Sequence, residues 1–159
     1  MADAVARVGL GFDVHPWATD DRELWLAGVR FEGEPGLAGH SDGDVVCHAL
    51  ADALLGAAAL GDVGAHFPDG DPSTAGLAGA ELLGRTRAIV QEAGFTFRSC
   101  DVTVVCERPT IAEYRNDVRR RLADVLGVQL EVVSVKATRP EGLGLAGDGV
   151  GCMAVAILA

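Results

Sequence analysis

Two short patterns of ionisable side chains carry the chemistry open to this sequence. Asp13 and His15 stand two apart in VARVGLGFDVHP, and Asp44, His48 and Asp52 stand four apart in the otherwise apolar run DVVCHALADALLGAA. Residues two apart on a strand project to one face, so Asp13 and His15 aim at one point. Residues four apart on a helix form a narrow stripe that drifts by about 40° per step, at about 100° per residue. On a helix that is apolar elsewhere, such groups must face something other than bulk water, because burying them without partners is costly. Asp13, His15 and His48 together supply one carboxylate and two imidazoles, the N/O set that leaves one position open in a catalytic zinc site. Asp44 and Asp52, one turn either side of His48, could then hold its ring by hydrogen bonds. The same residues also suit a buried, hydrogen-bonded polar cluster without metal. The residues alone leave both readings standing.

The elements that must position them can be read in order. Val5 to Val14 predicts a strand, with Gly9 and Gly11 allowing close backbone approach and Pro16 ending it. A polar loop from Trp17 to Glu23 leads to a second strand, Leu24 to Phe31, expected to form a hairpin with the first. After a Gly/Pro turn, Ser41 or Asp42 is a natural N-cap for a helix over Val45 to Leu60. Gly61 to Pro72 is dense in turn formers and acids, the composition of a functional loop, with Phe67 as its anchor. Helices follow over Leu77–Ala93 and from the Thr110 cap to Leu126, closed by Gly94 and Gly127. Strands are predicted over Phe95–Glu107, Glu131–Thr138 and Cys152–Leu158, the last preceded by a glycine-rich loop from Glu141 to Gly151. The order β-β-α-α-β-α-β-β predicts an α+β fold, a two-layer α/β sandwich with helices on one face of a mostly four-stranded mixed sheet. Val102, Val104, Val133 and Val135 are expected to leave the other face apolar, which implies oligomerisation.

Composition narrows the function classes. With 159 residues, 49% of them hydrophobic, the chain is large enough for one domain, residues 1–159, with a proper core. A net charge of −10 argues against nucleic acid as a partner, since phosphate contacts need a basic face. No apolar run reaches the roughly 18 uncharged residues that span a bilayer. MADAVARVG lacks the basic and apolar regions of a signal peptide, so a cytoplasmic protein is expected. Cys47, Cys100, Cys106 and Cys152 show no CxxC spacing and sit in apolar runs, which predicts buried inert thiols rather than disulfides. Lys136 is the sole lysine among 13 basic residues.

The segments GFDVHPW, GHSDGDVVCHALADALLGAAALGDVGAHFPD, DVTVVCERP and KATRPEGLGLAG closely resemble the 2-C-methyl-D-erythritol 2,4-cyclodiphosphate synthase family, over essentially all of the chain from Arg7 onward. The resemblance implies a ferredoxin-like homotrimer with active sites between subunits. It implies an enzyme, a cyclising phosphorus–oxygen lyase of the non-mevalonate isoprenoid (terpenoid) pathway. This enzyme turns 4-diphosphocytidyl-2-C-methyl-D-erythritol 2-phosphate into the cyclic diphosphate and CMP. It assigns zinc, one ion per subunit, to Asp13, His15 and His48, and associates Glu141 with a second divalent ion, Mg²⁺ or Mn²⁺, on the diphosphate. His40 and Ser41 match phosphate contacts, while Asp62 and Gly64 match the erythritol contacts, with Phe67 and Asp69 on the same loop. Cys106, Pro109, Thr110, Ile111 and Ala112 match the turn that holds cytosine, largely through main-chain groups. Lys136, Thr138 and Arg139 stand beside the diphosphate, Lys136 and Thr138 in catalytic positions.

Three residues depart from the family's usual pattern. Thr110 stands where lysine is usual, and Arg139 stands where threonine is usual, a place from which it either adds a bidentate phosphate contact or crowds the α-phosphate. Asp148, in GDGVG, stands where the family commonly has an arginine at the end of a channel along its threefold axis. None touches the zinc set. Two other functions compete with the family's own: a zinc-dependent phosphohydrolase, with Asp62 or Glu141 activating water, and a non-catalytic metal-binding trimer. Because Asp148 reverses the channel's charge, titration with geranyl diphosphate is expected to show no saturable binding there.

Overall fold

The computed structural model describes residues 5–68, 70–144 and 146–159. Strand β1, Arg7–Pro16, runs two residues further than its apolar pattern suggested, so Asp13 and His15 lie within it. It pairs antiparallel with β6, Gly149–Leu158, which itself begins inside the predicted glycine-rich loop. β6 pairs on its other side with β4, Phe97–Val105, again antiparallel, and β4 pairs in parallel with β5, Val133–Thr138. The result is a mixed four-stranded sheet of order β1-β6-β4-β5.

The expected hairpin between the first two strands is not formed. Glu23–Leu26 (β2) and Val29–Pro35 (β3) instead make their own two-stranded ribbon. The reason is local. Ala27 and Gly28 both adopt positive φ (57° and 68°), the two-residue reverse turn whose twist matches a tight hairpin.

Three longer helices, α1 (Val45–Ala58), α3 (Gly79–Glu92) and α4 (Ile111–Leu126), cover one face of the sheet. A single helical turn, α2 (Val63–His66), sits within what the sequence suggested was only loop. The core between the layers is aliphatic, built on Leu50, Leu54, Leu83, Leu122 and Leu126 from the helices and Val102, Val104, Ala154 and Ala156 from the strands. The four cysteines are free and buried, as expected. No helix among the described residues is long and apolar enough to cross a membrane.

The faces of the sheet are assigned differently from expectation. Val102, Val104, Val133 and Val135 are buried and belong to the core beneath the helices. The uncovered apolar surface comes from the other half of the sheet: Val8, Leu10, Phe12 and Val14 are 65%, 70%, 46% and 40% exposed. Met153, Val155 and Ile157, their register partners on β6 opposite Phe12, Leu10 and Val8, continue the stripe. Alternation explains this, since the even-numbered residues of β1 point outward and the odd-numbered ones point to α1.

On that inner face β1 meets α1 backbone to backbone. A Cβ on Gly9 would lie 1.9 Å from the Ala53 carbonyl oxygen, and one on Gly11 would lie 1.8 Å from that of Ala49. Any side chain there pushes strand and helix apart. Gly11→Ala is therefore expected to cost about 3 kcal/mol in a urea titration, at the upper end for overpacking. Gly56→Ala, in the same helix but facing open space, should stabilise by about 0.5–1 kcal/mol.

Candidate metal and phosphate site

Continuing the inner face of β1 past Gly9 and Gly11 places Asp13 and His15 over the first turns of α1, where His48 meets them. One ligand atom from each of the three lies within 4.8 Å of the other two. Asp13 Oδ2 is 3.2 Å from His48 Nδ1 and 3.3 Å from His15 Nε2, and the two imidazoles stand edge-on with centroids 6.2 Å apart. Burial alone would raise the Asp13 carboxyl, but hydrogen bonds from both imidazoles outweigh it and hold the pKa at about 2. The hydrogen bond to Asp13 raises His15. Burial opposes the charged form of His48, yet Asp13 lifts it too. Three convergent N/O donors, half-buried and electrostatically preset for a cation, fit a divalent metal with an open coordination position.

The acidic residues around this set do something other than orient His48. Asp44 is the N-cap of α1, in place of Ser41 or Asp42. Its buried carboxylate accepts from the amides of Val46 and Cys47 at 3.1 and 3.0 Å, and from those of Ala27 and Gly28 at 2.8 and 2.7 Å. It thus pins the β2–β3 turn to the start of the helix. Burial, and then the neighbouring Asp42, push its carboxyl up against the pull of these amides. Asp42 accepts from the Asp44 amide and, 2.9 Å away, from Gly79 at the start of α3. Asp52 accepts from Val63 at 2.8 Å and anchors α2. The ring of His48 has Asp13 on one nitrogen and Ser41 Oγ, at 3.4 Å, on the other. The stripe Asp44–His48–Asp52 is real as geometry, but its two acids bind backbone.

A cavity of about 410 Å³ opens beside the triad, lined in part by His15, His40, Ser41, His48, Gly64 and Phe67. Asp62 caps α2 by accepting from Ala65 at 2.9 Å and so presents Gly64 to this cavity. A second cavity of about 180 Å³ collects Cys106, Pro109, Thr110, Ile111, Ala112, Thr138 and Arg139, with Arg115 at its edge. The two cavities share no lining residue. Glu141 lies on the glycine-rich loop at φ 52° and lines neither. Lys136, expected beside the diphosphate, is paired with Asp101 on the uncovered face of the sheet, because strand alternation turns it away from Val135 and the core. His66, the last residue of α2, donates from Nε2 to the Leu60 carbonyl at 2.8 Å. Asp69 falls outside the described residues.

Two supports were invisible in the sequence pattern. Arg22 donates to the carbonyls of Leu37 and Gly39 at 3.2 and 3.0 Å and so fixes the approach to His40. Thr74 to Leu77 form the far wall of the larger cavity. A polar loop arginine carries no spacing signal, and the wall is set by how α3 docks.

The YgbB family profile matches residues 6–159. This chain belongs to the YgbB family. Among its relatives, a 2-C-methyl-D-erythritol 2,4-cyclodiphosphate synthase of Acinetobacter baumannii (strain SDF) is 46% identical over 153 residues, covering 96% of this chain and 95% of the relative. The bifunctional enzyme IspD/IspF of Novosphingobium aromaticivorans is 47% identical over 153 residues. This YgbB chain spans only 39% of that protein's length. A solved 2C-methyl-D-erythritol-2,4-cyclodiphosphate synthase in a CDP-bound form superposes with a TM-score of 0.89 at 31% identity, covering 96% of this chain and all of that one. The bifunctional IspDF of Campylobacter jejuni superposes at 0.91 with 36% identity, covering 97% of this chain and 42% of that one.

The triad makes a pH prediction for the metal-free protein. The raised imidazoles contribute stability fully present below pH 6.5 and lost as pH climbs through their raised values. The depressed Asp13 contributes above 3.8, a contribution lost as pH falls towards about 2. Asp13→Asn is therefore expected to be most destabilising between about pH 4 and 6.5, measured as the urea midpoint difference from wild type across pH 3 to 9.

Proposed function

We propose that this chain performs the reaction after which its full-length relatives are named. In it, 4-diphosphocytidyl-2-C-methyl-D-erythritol 2-phosphate becomes 2-C-methyl-D-erythritol 2,4-cyclodiphosphate and CMP. The observation that carries this reading is the convergence of Asp13, His15 and His48 at the wall of a cavity also lined by His40 and Ser41. Around it stand 46% identity along 95% of a relative of that name and the close superposition on a synthase bound to CDP.

Asp13, His15 and His48 would hold zinc, and Glu141 would assist a second divalent ion, Mg²⁺ or Mn²⁺; bound there, such ions supply Lewis-acid neutralisation of the diphosphate. The chain's own residues do the positioning. His40 and Ser41 donate to phosphate oxygens, Asp62 and Gly64 take the erythritol hydroxyls, and Phe67 closes the apolar side. An oxygen of the substrate's 2-phosphate attacks the β-phosphorus, and the bond from that phosphorus to the bridging oxygen breaks, so CMP leaves with the electron pair. The nucleophile is already an anion at neutral pH, so alignment and charge neutralisation suffice without a general base. The turn from Cys106 to Ala112 takes the cytosine, with Thr138 and Arg139 beside the α-phosphate.

Because the two cavities share no residue, the complete site is read as forming between subunits of a homotrimer. The uncovered stripe of Val8, Leu10, Phe12 and Val14 gives such an assembly its apolar contact. On this reading the fold is ferredoxin-like, residues 1–159 form one synthase domain, and the protein is a cytoplasmic lyase.

Product analysis separates the alternatives. Incubation with the cytidyl diphosphate substrate is expected to give cyclic diphosphate and CMP. A linear hydrolysed product would make it a phosphohydrolase, and no product a metal-binding protein without catalysis. His48→Ala should lose zinc, by elemental analysis, together with about three orders of magnitude in kcat/KM, the scale of a lost site group. Full turnover by zinc-free mutant protein would refute the assignment.

A further inference from the structure

Glu34, on β3, has a buried carboxylate oxygen, Oε2, with no hydrogen-bond partner among the described residues. Unsatisfied buried acceptors are rare enough to call for a cause. Among the described residues, the cation in its reach is Arg108, whose Nη1 stands 3.7 Å away. The guanidinium of Arg108 in turn lies over the Trp17 ring, 5.1 Å from its centroid. Trp17 is itself fixed through its backbone: its amide donates to the Asp148 carbonyl at 2.9 Å, and it bridges to Leu37. Arg108 therefore reaches out of its own turn to β3 on one side and to the Trp17 ring on the other.

That turn is the one whose next residues, Pro109 to Ala112, line the smaller cavity. Its remaining side-chain tie is weak, a contact of 3.5 Å from Cys106 Sγ to the Pro109 carbonyl. We propose that Arg108 is a positioning residue, holding the main-chain groups of the turn at the register a nucleobase needs by its clamp between Trp17 and Glu34. The inference rests on the reading of that cavity as the nucleotide subsite. The ion pair is half exposed and contributes little to global stability. Its effect is to narrow the turn's freedom, which lowers the ordering cost of binding.

The clamp has two independent readouts in the full-length protein. Arg108→Gln and Glu34→Gln should each speed amide hydrogen exchange at residues 107–111 by fivefold or more, with β1 and α1 unchanged. They should also raise KM and the Kd for CDP five- to tenfold while kcat and zinc content stay within twofold. Arg108→Lys, which keeps the charge facing Glu34, should recover at least half of the CDP affinity, and Trp17→Phe, which keeps an aromatic face, nearly all of it. Unchanged exchange in both glutamine variants overturns the clamp, as does unchanged CDP affinity or a fall in kcat matching the loss in kcat/KM. Failure of the wild-type protein to bind CDP would overturn the nucleotide reading, while the exchange measurement still decides whether the turn is clamped.

Discussion

Strand β1 and helix α1 touch through bare backbone, and the rest of the molecule is arranged around that contact. Gly9 and Gly11 leave the carbonyls of Ala53 and Ala49 nothing but main chain to meet. Two residues further along the same face, the strand has come close enough for Asp13 Oδ2 to lie 3.2 Å from His48 Nδ1. Ordinary side chains between strand and helix would hold the layers several ångströms further apart, near the usual spacing of packed elements. The imidazole of His48 could not then reach Asp13. Small residues are thus needed on both partners, which is why α1 is so rich in alanine. The chemistry of the site is a consequence of packing distance.

The acidic residues around α1 serve as structural ties. Of the acids in and just before α1, Asp42, Asp44 and Asp52 all accept from backbone amides of other elements. They fasten the β2–β3 turn, α2 and the start of α3 to one helix. Charge-assisted bonds to backbone amides are among the stronger ties available to a small domain. Their use also settles an apparent conflict, since a protein of charge −10 keeps much of the acid near this cavity occupied with amides rather than facing an anionic ligand. His40, Ser41 and His48 are left to line the space.

Much of this was legible in the residues. The strand-period pair Asp13 and His15 and the helix-period stripe through His48 each set a face correctly, because both periodicities are rigid, and the packing of β1 on α1 brings the three side chains together. The helices and the four main strands fell within a few residues of their predicted ends. What failed did so for identifiable reasons. The β2–β3 ribbon was hidden because Ala27, an ordinary residue, takes a positive φ that sequence assigns to glycine or asparagine. The roles of Asp44 and Asp52 were misjudged because spacing tells which face a group is on and says nothing of which backbone amide will dock there. Val102 and Val104 were placed on the wrong face because alternation fixes relative but not absolute orientation.

The position of β6 has a further implication, for the order in which the protein is built. Residues 149–158 are hydrogen-bonded on both sides, to β1 and to β4, so the strand nearest the carboxyl end of the chain sits inside the sheet. Arg7 pairs with Leu158 almost the full length of the sequence away. During synthesis β1 can dock on α1 early, since the two are close in sequence, but β1, and the edge of β4 that does not face β5, stay without a strand neighbour until residues 149–158 emerge. Non-local pairing of this kind folds slowly and leaves open strand edges while it waits. The three candidate metal ligands, Asp13, His15 and His48, by contrast all lie on β1 and α1. A metal bound by this triad would therefore tie β1 to α1 before the sheet is complete, a template for folding as well as for chemistry.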